Sequence, residues 1–492
     1  MLSFVVYQYG EVPANLDLSG AYLIGSDDVP LRAELGYRNG TITCKKRSAG
    51  PAGLAILWPV EGVGEVMVET VRLTERDRPY VLELELARGR LMHIAKKLEE
   101  WGLIDYEGTA ELMEAVTDAR MTLVEALKAD TTEEAAALGS KALSKAVVAS
   151  EALSQFHAQV FLDRRRQANS FRRLVTGCRI DLDDAVELAP KYLTESTDFV
   201  TVPICWREIE PNEQSFNWRP LDAWVEALHK LRIPMKGSAL LSFQESNVPD
   251  WLYFWEHDFD AIRDLAFEHI RRVINRYGQY IQMWDVISGI HATNCFTFNF
   301  EQLIELTRMA AALTKQVAPK SMAILELIAP WGEYYARNQR TIPPQLYAEM
   351  AVQSGVNFDA FGLQFLMGAP TDGCHVRDMF KISSLIDDFA KTGKTLHITG
   401  IQAPSHTADG EKHGGYWRSP WSESVQAEWA GRFLEVAMSK TFVDSVCWYG
   451  LSDHATHAIP YGGLLNSGHA PKQVYATLGE FKRSISQQSG KA

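Results

Sequence analysis

An α/β fold is predicted, a (β/α)8 TIM barrel over residues 173–487 preceded by a β-rich, sandwich-like unit at 1–89 and a helical hairpin or bundle at 90–172. Three successive textures along the chain predict it. The first ninety residues alternate apolar and polar side chains with period two, and the next segment repeats apolar side chains every three to four positions. Beyond Leu174, short β-branched or apolar runs alternate with helical patterns.

In order, Val66 and Val68 alternate with Glu65, Met67 and Glu69, and Leu82, Leu84 and Leu86 with Glu83 and Glu85, which is the pattern of half-buried strands. Asn39-Gly40 predicts a hairpin turn, since both residues tolerate positive φ. From Gly89, Leu91, Ile94, Leu98 and Trp101 share a helical face, and Gly102 marks its end. Leu112, Val116, Ala119, Leu123 and Leu127 predict a second helix, and Thr131 with Glu134 caps a third that reaches about Leu162. Arg164-Arg165-Arg166 reads as a solvated helix end. The eight barrel strands are predicted at 174–180, 199–205, 235–241, 281–287, 322–328, 358–365, 395–399 and 445–449. No shorter internal repeat competes with this reading.

The chain has 492 residues, 46% apolar and 23% charged, ordinary for a globular protein. Its 62 acidic against 49 basic side chains give a formal charge of −13, which repels phosphate backbones and anionic lipid. Nucleic-acid and membrane partners are therefore not expected. Met1 to Tyr9 show no basic or sustained apolar leader, no run is long enough to span a bilayer, and the six cysteines are scattered singly. A reduced, cytoplasmic protein is the expectation.

Several strings resemble glycoside hydrolase family 10, the xylanase family, in order along the barrel. They are Trp206-Arg207-Glu208-Ile209-Glu210-Pro211 with Phe216-Asn217-Trp218, Pro249-Asp250-Trp251, Trp284-Asp285-Val286-Ile287, Phe361-Gly362-Leu363-Gln364, Ile398-Thr399, and Trp448-Tyr449-Gly450-Leu451-Ser452-Asp453 followed by Gly463-Leu464-Leu465 and Pro471-Lys472. The resemblance implies retaining hydrolysis by two glutamates about 5 Å apart, an acid/base closing the fourth strand and a nucleophile on the seventh. Those positions are Gly289 and Gly400 here. The sugar-holding positions that the family fills with polar groups align with Thr201, Val202, Cys205, Ser238, Ser242, Phe243 and Leu366. Residues 1–172 lie outside the resemblance.

If hydrolysis persists, replacement carboxylates must come from the same face, and the candidates are Glu326, Glu333, Glu208 and Glu245. Glu326 sits inside an apolar run, where an ionised carboxyl is costly unless paired; a structural hydrogen bond or ion pair is the competing reading. Asp285 and Asp453 more often orient neighbours than react. Substrate-binding candidates are Gln364, Trp448, Asp453, Trp331, His291 and, on the long loop after strand seven, Tyr416, Trp417 and Trp421. Aromatic rings suit the apolar face of a sugar, and that loop is too long for a plain connector. His291, His397, His454 and His457 lie near strand ends without metal-ligand spacing, so no metal or cofactor is expected. The leading expectation is a carbohydrate-binding pseudoenzyme with a carbohydrate-binding-module-like N-terminal unit. The alternatives are a glycoside hydrolase with relocated carboxylates and an assembly scaffold, with a homo-oligomer formed through residues 1–172.

Overall fold

The computed structural model describes residues 1–407 and 412–486; the barrel end expected at 487 lies outside them. Eight parallel strands close into a barrel: Thr176–Arg179, Phe199–Pro203, Met235–Ser238, Ile281–Ser288, Met322–Leu327, Ala360–Leu366, Thr395–Gln402 and Val443–Tyr449. Each overlaps its predicted run. The eighth strand pairs with the first, Tyr449 opposite Arg179, so the loops that follow these two strands emerge side by side. Helices between strands bury their apolar stripes on the barrel; Leu221, Trp224, Val225 and Leu228 of Arg219–Lys230 are all buried.

Before the barrel stand two sheets. One orders the strands Ala33–Arg38, Thr41–Lys46, Leu2–Val5 and Tyr80–Val81. Its hairpin turns at Asn39 (φ 51°) and Gly40 (φ 77°), with Arg38 opposite Thr41, the two-residue turn that this dipeptide predicts. The other sheet runs through Gly64–Glu69, Gly53–Val60, Tyr22–Ile24 and Pro30–Leu31, and its outer strand is Tyr416–Trp417, lent by the loop after the seventh barrel strand. Glycines make that pairing possible. A Cβ on Gly64 would meet Tyr416 O at 2.4 Å, and one on Gly415 would meet Glu65 O at 2.2 Å.

Two readings of the N-terminal strands need correction. Leu82 to Leu86 is not a strand but the start of the helix Leu82–Glu100, so helix begins before Gly89. Its first turns are buried all round, Glu83 and Glu85 included, and a helix without a polar face shows no helical period over five residues. Met67, expected on the polar side of its strand, is buried because that side packs with Tyr22, Ile24 and Ala55 against Ala336 of the barrel region.

The helices Leu82–Glu100, Ala110–Lys128 and Thr132–Gln167 form the predicted helical segment, and Thr131 Oγ1 accepts the Glu134 N–H at 3.2 Å. They are fastened to the barrel by charge. Arg90 meets both oxygens of Asp378, at 2.9 and 2.5 Å, with both side chains buried. Asp387 receives Lys97 at 3.2 Å, Lys440 at 2.8 Å and the Trp101 indole N–H at 2.9 Å. Arg165 of the triplet read as solvated is itself buried, donating to the carbonyls of Met438 and Lys440 at 2.8 and 2.7 Å. No helix among the described residues is long and apolar enough to cross a membrane, and all six cysteines are free.

Candidate functional site

Parallel strands deliver their C-terminal ends to one face of a barrel, and that face carries a cavity of about 520 Å³. Within the barrel, on the strands that lead to this face, is a buried pair: Lys236 Nζ of strand three lies 2.9 Å from Asp285 Oδ1 of strand four. Burial pushes the Asp285 carboxyl up to about 6, against the pull of Lys236. Above it, Ser288 Oγ donates to Glu326 Oε2 at 2.5 Å, and both groups are buried while lining the cavity. The hydroxyl gives that carboxyl the hydrogen bond its apolar strand lacks.

Across the cavity, Arg179 lies over the Tyr449 ring, 4.4 Å from its centroid, and hydrogen-bonds its hydroxyl. Burial opposes the Arg179 charge, but Tyr449, Asp181 and Glu326 together hold its pKa above the ordinary value. Burial also drives the Tyr449 phenol upward, so the hydroxyl stays protonated. Gln364 and Gln402 supply amides and Glu208 a carboxyl, raised by partial burial and by the charges of Asp183 and Asp181. The wall is therefore rich in fixed donors and acceptors.

At the two glycines the backbone leaves little room. Gly289 has φ 64°, and a Cβ there would stand 2.6 Å from Ile328 Cδ1. A Cβ on Gly400 would stand 2.7 Å from Tyr449 Cδ2 and 3.0 Å from Gln364 Cγ. Tyr449 and Gln364 fill the space that a longer side chain at 400 would enter.

Among the sequence candidates, Glu326, Glu208 and Gln364 line this cavity. Glu245 is exposed and is not part of its wall, although its neighbours Gln244 and Ser246 are. Glu333 is buried elsewhere, held by Arg377 at 2.6 Å, by His375 at 3.3 Å and by the Gly373 N–H; against the upward push of burial, these partners bring it down to about 2. Asp453 accepts Lys472 at 2.6 Å and the Gly463 N–H at 2.8 Å, tying down the loop after strand eight. Trp448 is fully buried and donates to Gly462 O at 2.9 Å. His291 is buried against Tyr347, its ring nitrogen 3.2 Å from Ile328 O, and burial lowers it to about 4. Trp331 lies under the Arg377 guanidinium beside a second cavity of about 160 Å³, between the N-terminal sheet and the barrel.

The loop aromatics turn inward. Tyr416 and Trp417 form the borrowed sheet edge, Trp417 is fully buried with its indole N–H on Glu151 at 2.8 Å, and buried Trp421 donates to Gly415 O at 2.9 Å. The loop length that pointed to a lid is spent in reaching the N-terminal sheet.

Arg179 and Asp181 had no place among the sequence candidates, though a charged residue ending the apolar run 174–180 was their signal. The fold also gathers Asp181, His454 and His457, whose ligand atoms lie within 4.8 Å of one another. Sequence spacing could not show this, because Asp181 follows strand one and both histidines follow strand eight.

Residues 190–480 match the family model described as Glycosyl hydrolase family 10. Endo-1,4-beta-xylanase B of Neocallimastix patriciarum is 21% identical over 282 residues, 55% of this chain and 30% of that protein. An endo-1,4-beta-xylanase/feruloyl esterase of Xylanibacter ruminicola is 23% identical over 278 residues, 52% of this chain and 38% of that protein. The chain thus spans well under half the length of these curated relatives. Among solved structures, xylanase 10B from Thermotoga petrophila in complex with xylobiose is similar with TM-score 0.48 and 16% identity over 64% of this chain and 95% of that one. GH10 from Paenibacillus barcinonensis gives 0.49 and 16% over 64% and 96%. With most of its barrel and more than half its residues matched, the chain belongs to glycosyl hydrolase family 10.

Proposed function

We propose that this glycoside hydrolase-like protein binds a glycan in the cavity at the barrel mouth without performing the family's retaining hydrolysis. The reading rests on the alignment that sets Gly289 and Gly400 where the family carries its acid/base and nucleophile, and it is supported by Tyr449 and Gln364 packed into the space beside Gly400. Retaining chemistry needs a proton donor and a nucleophile about 5 Å apart, and hydrogen can serve as neither. A cavity of about 520 Å³ is of a size that holds a short oligosaccharide, and Arg179, Gln364, Gln402 and Tyr449 offer donors and acceptors suited to hydroxyls.

Xylan should release no reducing sugar with this protein, while one or more xylo- or other oligosaccharides should raise its melting temperature by mass action. Detectable retaining cleavage of xylan would refute the proposal. Absence of any thermal shift across a glycan panel would favour the assembly-scaffold reading, in which residues 1–172 brace the barrel or join copies of the chain.

A second reading, hydrolysis with relocated carboxyls, draws on Glu326 and Glu208, which line the cavity together with Asp181 and Asp183. It requires glycan cleavage by the wild-type protein that Glu326→Gln or Glu208→Gln abolishes.

A further inference from the structure

The loops after barrel strands one and eight lie side by side and place two imidazoles and a carboxylate together on the cavity wall. Asp181 Oδ2 lies 3.4 Å from His457 Nε2, and the His454 and His457 rings are 4.8 Å apart, centroid to centroid. All three residues line the cavity.

A second observation shows that the cluster is supported from behind. The Asp184 carboxylate is fully buried; its Oδ1 lies 3.3 Å from His454 Nε2, and its Oδ2 accepts the Asp181 backbone N–H at 2.9 Å. One buried group therefore fixes the ring of one member and the backbone of another. Outer carboxylates of this kind orient metal-ligating histidines.

We propose that Asp181, His454 and His457 form a binding site for one divalent transition-metal ion of the zinc class at the rim of the cavity. Two imidazole nitrogens and one carboxylate oxygen suit a borderline ion, whereas calcium and magnesium favour all-oxygen shells. Three protein ligands leave the fourth position of a tetrahedral ion open. Because all three ligands border the cavity, that position is within reach of a hydroxyl or carboxylate of a bound ligand. Charge supports the assignment: Asp181, Asp183, Glu208 and Glu326 line the cavity against the single guanidinium of Arg179, so a dication offsets an excess of carboxylates.

The site stands apart from the glycan proposal, since its test contains no sugar and no activity assay. Untagged, chelator-stripped protein titrated with ZnCl2 by calorimetry should bind one saturating ion. His454→Ala and His457→Ala should each weaken binding at least about tenfold, and Asp184→Asn by about tenfold through lost orientation. Circular dichroism and the metal-free melting temperature of each variant report whether it folds. Cobalt substitution of the wild-type protein gives an independent readout, with intense visible bands expected for a four-coordinate site. No saturable zinc binding, zinc binding unchanged in the His454→Ala/His457→Ala double variant, or a cobalt spectrum like that of the free aqueous ion would each overturn the assignment.

Discussion

The seam between the N-terminal elements and the barrel, and the cavity at the barrel mouth, both hold charged side chains away from bulk water but treat them in opposite ways. At the seam, three carboxylates held away from water are matched by cations: Asp378 by Arg90, Glu333 by Arg377, and Asp387 by Lys97 and Lys440. In the cavity wall, four carboxylates share one guanidinium, and Glu326 is satisfied by a serine hydroxyl. Matched charges hold elements together and leave nothing for a ligand. Unmatched charges bordering open space are available to a ligand, and this difference separates Glu333 from Glu326 where sequence position could not.

The seam side of the comparison breaks first under mutation. Asp378→Ala leaves the Arg90 guanidinium buried without its partner and removes the N-cap that accepts the Lys381 N–H, so unfolding in urea should show a loss of about 3–5 kcal/mol. A loss below about 1 kcal/mol would mean that the pair is solvated and that the seam does not differ from the cavity. Glycan or zinc binding at the barrel mouth should be unchanged wherever the variant remains folded.

Acid should test the same side through Glu333. Its carboxyl is held down to about 2 in the folded chain, below its unfolded value, so its contribution is present above about pH 4.5 and is lost as pH falls toward 2. That contribution is on the order of 3 kcal/mol, and Glu333→Gln should flatten the acid limb of a stability-pH curve. Glu83 works in the other direction. Burial raises it to about 8, so the folded state binds its proton more tightly, and stability should decline as pH rises from about 4.5 through 8. In Glu83→Gln that decline should be smaller; an unchanged slope would show that Glu83 is hydrated in solution.

On the cavity side, Gly400→Glu places a carboxylate where the proposed alignment sets the family's nucleophile, but its Cβ would fall 2.7 Å from Tyr449 Cδ2. We expect a cost of about 1–3 kcal/mol from overpacking and no cleavage of xylan, alone or with Gly289→Glu. Restored hydrolysis by the double variant would show that Tyr449 and Gln364 yield easily and that only two side chains separate this barrel from a working enzyme.

Much of the fold was legible in the sequence because barrel strands buried on both faces read as apolar runs, and all eight stand near their predicted places. Leu82–Leu86 was misread because a helix buried on every side loses its period, and Trp417 because a residue's place on a long loop says nothing of which way the loop folds. Among the cavity-lining residues, Glu326 and Gln364 could be named in advance since each sits on a strand of known phase. Asp181, His454 and His457 could not be joined, because their proximity is created by closure of strand eight on strand one, a contact between opposite ends of the barrel sequence.

The smallest expected effect is the most specific to the cavity. Gln364 lines it on strand six, with its Cγ beside Gly400, and its amide can pair with a ligand hydroxyl. Removing one neutral hydrogen bond costs about 0.5–1.5 kcal/mol, so Gln364→Ala should weaken glycan binding by roughly two- to tenfold, read by calorimetry with whichever oligosaccharide gives the largest thermal shift. Trp417→Ala is the matched control at the seam. It empties a fully buried site and should cost about 3–5 kcal/mol of stability while leaving the affinity of the folded fraction unchanged. The reverse outcome, affinity lost with Trp417 and kept without Gln364, would move the ligand from the barrel mouth to the borrowed sheet edge and return the loop to the binding role its length first implied.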